Sequence, residues 1–89
     1  MIEEAQRSRT VVVRYAHAID ALDRVASVLR RQRVRADAFT AVAAPDGSTA
    51  QATIMFESTD RTAARVVALL GRQIGVIAVE EWRDDDSRR

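Results

Sequence analysis

The chain has 89 residues, a formal net charge of +1 and no cysteine. A chain of this length forms one small domain that buries a modest share of its unfolded surface, so we expect it to associate with a partner. The near-neutral charge gives no field to attract nucleic acid or a membrane surface, and the lack of cysteine excludes disulfide frameworks, thiolate zinc sites and cysteine nucleophiles. The apolar runs are too short to span a bilayer and residues 1–7 lack the pattern of a signal peptide, so we expect a cytoplasmic protein.

The first half of the chain predicts a strand, a helix and a second strand. The polar residues 1–8 are expected to be flexible, and three consecutive valines followed by Tyr15 predict a strand over 9–16. Apolar residues three and four positions apart predict a helix over 17–33. Its predicted apolar stripe consists of Ile19, Leu22, Val25, Ala26 and Leu29. The small side chains of 34–44 are typical of an edge strand that can lie flat against another sheet edge.

The centre of the chain predicts a β-hairpin. Pro45 presets φ for a turn, Asp46 can bond back to the backbone, and Gly47 can take the positive φ that closes the turn. The run over 49–57 alternates between two sets of side chains and therefore predicts a strand. The more apolar set consists of Ala50, Ala52, Ile54 and Phe56.

The second half of the chain predicts another helix and a last strand. Thr59 and Asp60 supply a cap residue and a first-turn acid for a helix that runs to about Arg72. Its predicted stripe consists of Ala63, Val66, Val67, Leu70 and Ile74. The last strand is predicted over 76–82, and residues 84–89 form a charged tail. We expect Val76 and Ala78 on one face of that strand and Ile77 and Val79 on the other.

The order strand–helix–strand–strand–helix–strand predicts a ferredoxin-like βαββαβ sandwich of the α+β class over residues 9–83. Two strand–helix–strand units joined by a hairpin interleave into a four-stranded antiparallel sheet with both helices on one face. The first and third strands lie in its centre. The face without helices needs a cover; it carries either Tyr15, Ile54 and Phe56 or Val12, Met55 and Ile77. The fold hosts many functions and does not by itself indicate one.

No catalytic or metal-binding group of residues is visible in the sequence. His17 is the only histidine, and we expect it in a loop, since a lone imidazole has no second metal ligand and no nucleophile beside it. Glu80 and Glu81 point to opposite faces of a strand and cannot act as a paired acid and base. The four aromatic residues lack the basic, glycine-containing motif of an RNA-binding sheet. We therefore expect a protein that is not an enzyme, carries no cofactor or metal and binds no nucleic acid.

Three segments resemble the ACT domain, and most closely the regulatory small subunit of bacterial acetohydroxyacid (acetolactate) synthase. Residues 22–31 (LDRVASVLRR) resemble the family's L-x-R-V-x-x-L-F-x-R-R helix. Residues 69–79 (LLGRQIGVIAV) resemble its Q-L-x-K-L-I-D-V-x-x-V segment, and the short hairpin at 45–47 lies between them. The resemblance extends from Val11 to Trp82, which is nearly all of the predicted domain.

The resemblance implies a regulatory role. Members of this family are not enzymes. They dimerise side by side through sheet edges, bind a large catalytic subunit that depends on thiamine diphosphate, and raise its activity. Many confer feedback inhibition by branched-chain amino acids such as valine, which bind at the dimer interface against the loop between the first strand and the first helix.

In that loop the chain departs from the family pattern Asn-x-x-Gly-Val-Leu. The corresponding residues, which form the predicted effector loop, are His17, Ala18, Ile19, Asp20 and Ala21. His17 replaces the asparagine, and Asp20 replaces the glycine. In the family, this glycine lets backbone amides close on a ligand carboxylate. A second carboxylate at this point disfavours an amino-acid ligand, so we expect a degenerate site. A further interpretation of Asp20 is an acid in the first helical turn that stabilises the helix dipole.

Two hypotheses follow for the function. In the first, the chain is an accessory subunit that dimerises and activates an acetohydroxyacid synthase catalytic subunit in branched-chain amino-acid biosynthesis, with weak or absent valine feedback. In the second, it is a stand-alone homodimer that senses an amino acid. An RNA-binding domain, a more distant alternative, requires a basic sheet face, whereas the basic residues here lie mainly at helix ends and in the tails.

Overall fold

A computed structural model describes residues 5–82 of the chain. The elements are β1 (Arg7–Ala16), α1 (Ala21–Arg31), β2 (Ala38–Ala43), β3 (Thr49–Ser58), α2 (Asp60–Gly71) and β4 (Val76–Trp82). The strands form one antiparallel sheet in the order β2-β3-β1-β4, which confirms the predicted ferredoxin-like sandwich with β1 and β3 in its centre. The predicted tail over 84–89 and the first four residues lie outside the described part of the chain.

The central hairpin forms as its local chemistry predicts. Gly47 has φ +75°, and its N–H donates to the carbonyl of Ala44 over 2.9 Å. The carboxylate of Asp46 accepts hydrogen bonds from the N–H of Ser48 at 3.0 Å and from its hydroxyl at 2.8 Å. These two hydrogen bonds lower the pKa of Asp46 below its ordinary value, and the bond from the backbone N–H of Ser48 contributes more than the bond from its hydroxyl. The turn fixes the register of β2 against β3.

Both helices pack on one face of the sheet and bury its apolar side chains. From the sheet, the buried core includes Val11, Val13, Tyr15, Ala50, Ala52, Ile54 and Phe56. From the helices, it includes Ala21, Val25, Val28, Leu29, Val66 and Leu70. The sequence left open which of two sets of residues lies on the face without helices. The set with Tyr15, Ile54 and Phe56 faces the helices.

We call the sheet face without helices the open face. In three cross-strand rows it carries Ala38, Met55, Thr10 and Trp82; Thr40, Thr53, Val12 and Glu80; and Val42, Gln51, Arg14 and Ala78. The large apolar side chains of Val42, Met55 and Trp82 are exposed there. This is therefore the face that we predict to be covered by a second copy or by another protein.

The starts of three elements differ from the sequence prediction. β1 begins at Arg7 rather than at residue 9, because it continues to pair with the end of β3. α1 begins at Ala21 rather than at residue 17, since residues 17–20 form the connection from the end of β1. β2 extends only over Ala38–Ala43, because residues 32–37 form the connection from the end of α1, and contact with β3 starts where the N–H of Asp37 donates to the carbonyl of Met55 over 2.7 Å.

The predicted helix stripes were wrong at three positions. Ile19 is fully exposed because it precedes the helix, and Leu22 is exposed on the outer side of α1. Val25 and Leu29 face the core as predicted, together with Ala21 and Val28, which the predicted stripe did not include. In the second half, Ile74 lies beyond the end of α2 and is largely exposed. The remaining stripe residues of α2 are buried or half-buried, as predicted.

The last strand contains a β-bulge that the alternating pattern did not predict. Its pairing with β1 shifts between Arg14 and Tyr15, so that Ala78 lies opposite Arg14 and Val76 opposite Tyr15. Ile77 is the extra residue and is half-exposed. Val76 and Val79 consequently both pack against the core, although strict alternation places them on opposite faces.

Candidate functional site

The predicted effector loop connects the end of β1 to the start of α1 and lies beside two other connections. The N–H of His17 donates to the carbonyl of Ser48 over 3.1 Å, which joins the loop to the central hairpin. The N–H of Ala16 donates to the carbonyl of Gly75 over 2.8 Å, which joins it to the α2–β4 connection. Three connections thus meet at one end of the sandwich.

Asp20 lies at the N-cap of α1 but does not cap it. Its φ of −103° is ordinary for any residue, so the backbone here does not call for glycine. Its carboxylate accepts a hydrogen bond from the Nη2 of Arg24 over 2.7 Å, one helical turn away. The negative charge therefore stays at the amino end of the helix, where the dipole favours it. This arrangement agrees with the interpretation of Asp20 as a helix-start acid.

Arg24 joins the loop to the α2–β4 connection. Its Nη1 donates to the carbonyl of Ile74 over 3.2 Å while its Nη2 holds Asp20. One guanidinium therefore fixes the spacing of two exposed segments, each with an exposed isoleucine, Ile19 and Ile74. The sequence does not predict this role, because Arg24 lies in the family-like helix and Ile74 in the predicted helix stripe, with no local signal that joins them.

The five predicted loop residues do not all contribute to one surface. Ala21 is buried in the core as the first residue of α1, and the carbonyl of Ala18 accepts the N–H of Ala21 over 3.1 Å. His17 and Ile19 are exposed. The loop therefore presents an apolar side chain and an imidazole to solvent beside the Asp20–Arg24 pair, rather than a cradle of free backbone amides around a glycine.

A buried arginine at the other end of the sheet joins three elements. The Arg9 side chain is 4% exposed. Its Nη1 donates to Glu81 over 3.1 Å, and its Nη2 donates to the carbonyl of Ser58 over 3.2 Å and to the carboxylate of Asp60. Burial lowers the pKa of Arg9, but the hydrogen bonds and charges of Asp60 and Glu81 outweigh it and leave the pKa raised. This cluster fixes β1 to β4 and to the start of α2.

The outer edge of β2 is the second surface suited to binding. β2 ends the sheet in the described part of the chain, and most of its side chains are exposed. Beside it, a groove of about 470 Å³ runs between α1 and the approach to β2. Its apolar lining includes Ala26, Leu29, Val34 and Phe39. A strand edge beside an apolar groove is typical of a surface that pairs with another sheet edge.

Two further observations concern membranes and metals. Among residues 5–82, no helix is long and apolar enough to cross a membrane. Within the same residues, no group of three or more histidine, aspartate or glutamate side chains is placed to hold a metal ion.

No protein-family model and no curated protein matches the chain. Solved structures do. The ACT domain from GTP pyrophosphokinase of Chlorobium tepidum superposes with a TM-score of 0.72 at 13% identity, covering 88% of this chain and 100% of that chain. The acetolactate synthase small subunit from Thermotoga maritima gives a TM-score of 0.78 at 15% identity and 88% coverage of this chain. The chain has the fold of an ACT domain.

The likeness concerns the fold alone, because the identities are low. The present chain spans 48% of the Thermotoga maritima small subunit, so it corresponds to about half of that structure. It spans 96% of an uncharacterised protein from Thermotoga maritima, with a TM-score of 0.72 and 14% identity. The fold of this chain thus occurs both within a larger subunit and as nearly the whole of a chain of similar size.

Proposed function

We propose that the chain is a non-catalytic accessory subunit that dimerises and activates an acetohydroxyacid synthase catalytic subunit, with weak or absent control by valine. The segments over 22–31 and 69–79 support this family within the ACT fold. On this proposal the chain acts in the cytoplasm, where branched-chain amino acids are made.

The observation that carries the proposal is the Asp20–Arg24 pair at the predicted effector loop. An amino-acid effector presents a carboxylate to this loop, and a fixed carboxylate at the start of α1 repels it. The ion pair with Arg24 reduces this repulsion, but the side chain and carboxylate of Asp20 still occupy the position at which the family carries glycine. The pair therefore supports an accessory subunit over a sensor.

Exposed apolar residues beside the same loop support a protein partner. Ile19 and Ile74 are exposed although each is large and aliphatic, and Arg24 holds their segments together. A charged residue at either position is expected to weaken binding of the catalytic subunit without disturbing the core. Ala64→Glu, on the exposed side of α2, is the matched control.

The deciding experiment measures acetolactate formation by the cognate large subunit with and without this chain, then with valine, leucine or isoleucine added. We expect a several-fold rise in rate that no amino acid reverses. Ile19→Glu should lower the apparent affinity for the large subunit, whereas Ala64→Glu should not. If the chain leaves the rate unchanged at saturating concentration, the accessory-subunit proposal is wrong.

A second arm tests the role of Asp20. Asp20→Gly removes the charge and the side chain together, and Asp20→Asn removes only the charge. If charge is what excludes an effector, both variants should acquire valine sensitivity, and if the side chain also blocks the site, only the glycine variant should. Valine inhibition of the unaltered complex would contradict our interpretation of Asp20 while preserving the activating role.

The alternative function is a stand-alone homodimer that binds an amino acid. It is supported by the fold, which the chain shares with the ACT domain from GTP pyrophosphokinase of Chlorobium tepidum. A sensor of this kind is stabilised by its ligand through mass action, so its melting temperature rises steadily with amino-acid concentration. Thermal unfolding with each branched-chain amino acid distinguishes the two functions, because an effector-blind subunit shows no shift.

A further inference from the structure

The open face carries a pattern of sizes and charges that is unusual for a solvent-facing surface. Val42 is 69% exposed, Trp82 54% and Met55 46%. Within its three rows of four side chains the open face has one positive group, Arg14, and one negative group, Glu80, and beyond the first row Glu57 lies opposite Ser8. The other side chains are apolar, threonine or glutamine. Charge on this face is therefore sparse and its large side chains lie at defined positions.

We propose that the open face binds the open face of a second copy of this chain, about a two-fold axis parallel to the strands and midway between β1 and β3. Rotation about this axis keeps each row at its own level. It places β2 of one copy over β4 of the other, and β3 over β1. Such isologous contacts are the commonest in homodimers, and face-to-face sheets pack with their strands nearly aligned.

The sizes of the side chains match under this rotation. In the first row Trp82 meets the second copy's Ala38, the smallest side chain of that row. In the third row Val42 meets the second copy's Ala78. Each edge strand thus offers a small residue at the level where the opposing strand carries a large one, which close packing between two sheets requires.

The charges match under the same rotation. Glu80 meets the second copy's Thr40, whose hydroxyl can donate to the carboxylate, and Arg14 meets the second copy's Gln51, whose amide oxygen can accept. No charge faces a like charge. A two-fold axis across the strands through the middle row instead stacks Glu80 on Glu80, which like-charge repulsion disfavours. The pattern therefore selects one of the two face-to-face arrangements.

The expected dimer is weak. Four strands about 4.8 Å apart and about six residues long give a flat footprint on the order of 400 Å², which falls short of the roughly 800 Å² per partner of a standard interface. We expect dissociation in the micromolar range. This pairing does not rest on the proposed function, and it leaves the outer edge of β2 free. A chain that uses both surfaces forms species larger than a dimer.

The single tryptophan of the chain lies in the proposed interface and reports on it. Burial of Trp82 against the second copy should shift its emission to shorter wavelength as protein concentration rises, in parallel with the mass from sedimentation velocity. Emission that stays constant while the mass rises places the association elsewhere and overturns the proposal. Constant emission with a monomeric mass at every concentration overturns it as well.

Two variants test the predicted contact between Thr40 of one copy and Glu80 of the other, the first by introducing repulsion and the second by relieving it. Thr40→Glu places a carboxylate against the second copy's Glu80 and should raise the dissociation constant about tenfold. Adding Glu80→Arg should restore it to within a few-fold of the original. Within one chain these positions lie three strands apart, roughly 14 Å, so the rescue reports on contact between copies.

The controls separate this interface from pairing through the β2 edge. Thr40→Glu also places like charges near each other in a dimer joined at β2, but Glu80→Arg on the opposite edge cannot rescue that dimer. Ala64→Glu, on the exposed side of α2, should leave the dissociation constant unchanged. Circular dichroism checks that each variant keeps its fold. If the double variant is as weak as Thr40→Glu alone, the face-to-face pairing is wrong.

Discussion

At the scale of single residues, Arg9 is a buried charged side chain whose removal we expect to destabilise the fold. It is buried, it holds Glu81 and Asp60, and its Nε has no hydrogen-bond partner in the described structure. Arg9→Met leaves the half-buried Glu81 without its counter-ion and should lower the free energy of unfolding by about 2–4 kcal/mol. Urea unfolding followed by Trp82 fluorescence measures this loss.

The double variant Arg9→Met with Glu81→Met shows which effect destabilises Arg9→Met. One is the loss of the attraction between the two side chains, and the other is the cost of leaving the Glu81 carboxylate half-buried without a counter-ion. Replacement of both partners by apolar side chains of similar length removes the buried charge and should recover most of the lost stability. Recovery is helped by the loss of the unpaired Nε, which costs free energy in the folded state. If the double variant is less stable than Arg9→Met, the cluster contributes net attraction instead.

Tyr15 is the group that we expect to make stability depend on alkaline pH. The chain contains one tyrosine, no cysteine and, among its fourteen basic residues, no lysine. Burial of the phenol raises the pKa of Tyr15 above its ordinary value of 10.0. The group is then neutral in the folded state at a pH where it ionises in the unfolded state. Its contribution is complete below the unfolded pKa and is lost as pH rises through the folded pKa.

We therefore expect the free energy of unfolding to fall above about pH 10. Tyr15→Phe cannot ionise and should remove this slope, which urea titrations at several pH values from about 9 to about 11 measure. Absorbance near the phenolate band follows the ionisation directly, since no second tyrosine contributes. Parallel losses of stability in both proteins above pH 10 would show that another group is responsible.

At the scale of elements, the sequence predicted what short-range chemistry decides. The Pro45–Gly47 turn, the alternation of β3 and the cap at Thr59, whose hydroxyl oxygen accepts the N–H of Thr62 over 3.2 Å, all depend on residues within a few positions. The Arg9–Glu81 contact spans 72 positions and had no local signal. The start of α1 and the β4 bulge depend likewise on neighbours distant in sequence, which a periodic pattern does not contain.

Two glycines near the end of α2 allow a matched comparison, because one has helical backbone angles and the other has a positive φ. Gly71 is the last residue of the helix, and a Cβ added there would meet nothing within 4 Å, so Gly71→Ala should raise the free energy of unfolding by about 0.5–1 kcal/mol. Gly75 has φ +89°, although a Cβ there would meet only the Ala16 Cβ at 4.0 Å.

Gly75→Ala should therefore lower the free energy of unfolding by about 1–3 kcal/mol through backbone strain rather than through a clash. Thermal and urea unfolding of the two variants under the same conditions should give shifts of opposite sign. Stabilisation by both substitutions would mean that the α2–β4 connection can adopt another backbone conformation.

At the scale of the whole molecule, one sheet presents two surfaces with different chemistry. The outer edge of β2 offers unpaired backbone groups beside an apolar groove, and the open face offers side chains. Edge pairing extends the sheet, whereas face pairing covers it. A small domain that uses both acquires the buried surface that its own length cannot provide.

Edge pairing makes a prediction about individual amides of β2. The N–H of Ala44 donates to the carbonyl of Thr49, which belongs to the same register as the pairs from Ala38 to Val42. By the alternation of antiparallel ladders, the N–H groups of Phe39, Ala41 and Ala43 then point away from β3. In a monomer these amides contact water, so their hydrogen exchange should be fast at low concentration and slow once β2 edges pair.

The variant Ala41→Pro removes one of these outward donors without removing a bond to β3. It should abolish the concentration-dependent protection of the neighbouring amides and the edge-paired species in sedimentation velocity. Ala41→Val, which keeps the N–H, is the matched control and should preserve both. Because Trp82 lies on the other edge strand, its emission separates the two modes of association. Fast exchange of the outward β2 amides at every concentration would show that the domain does not associate through this edge.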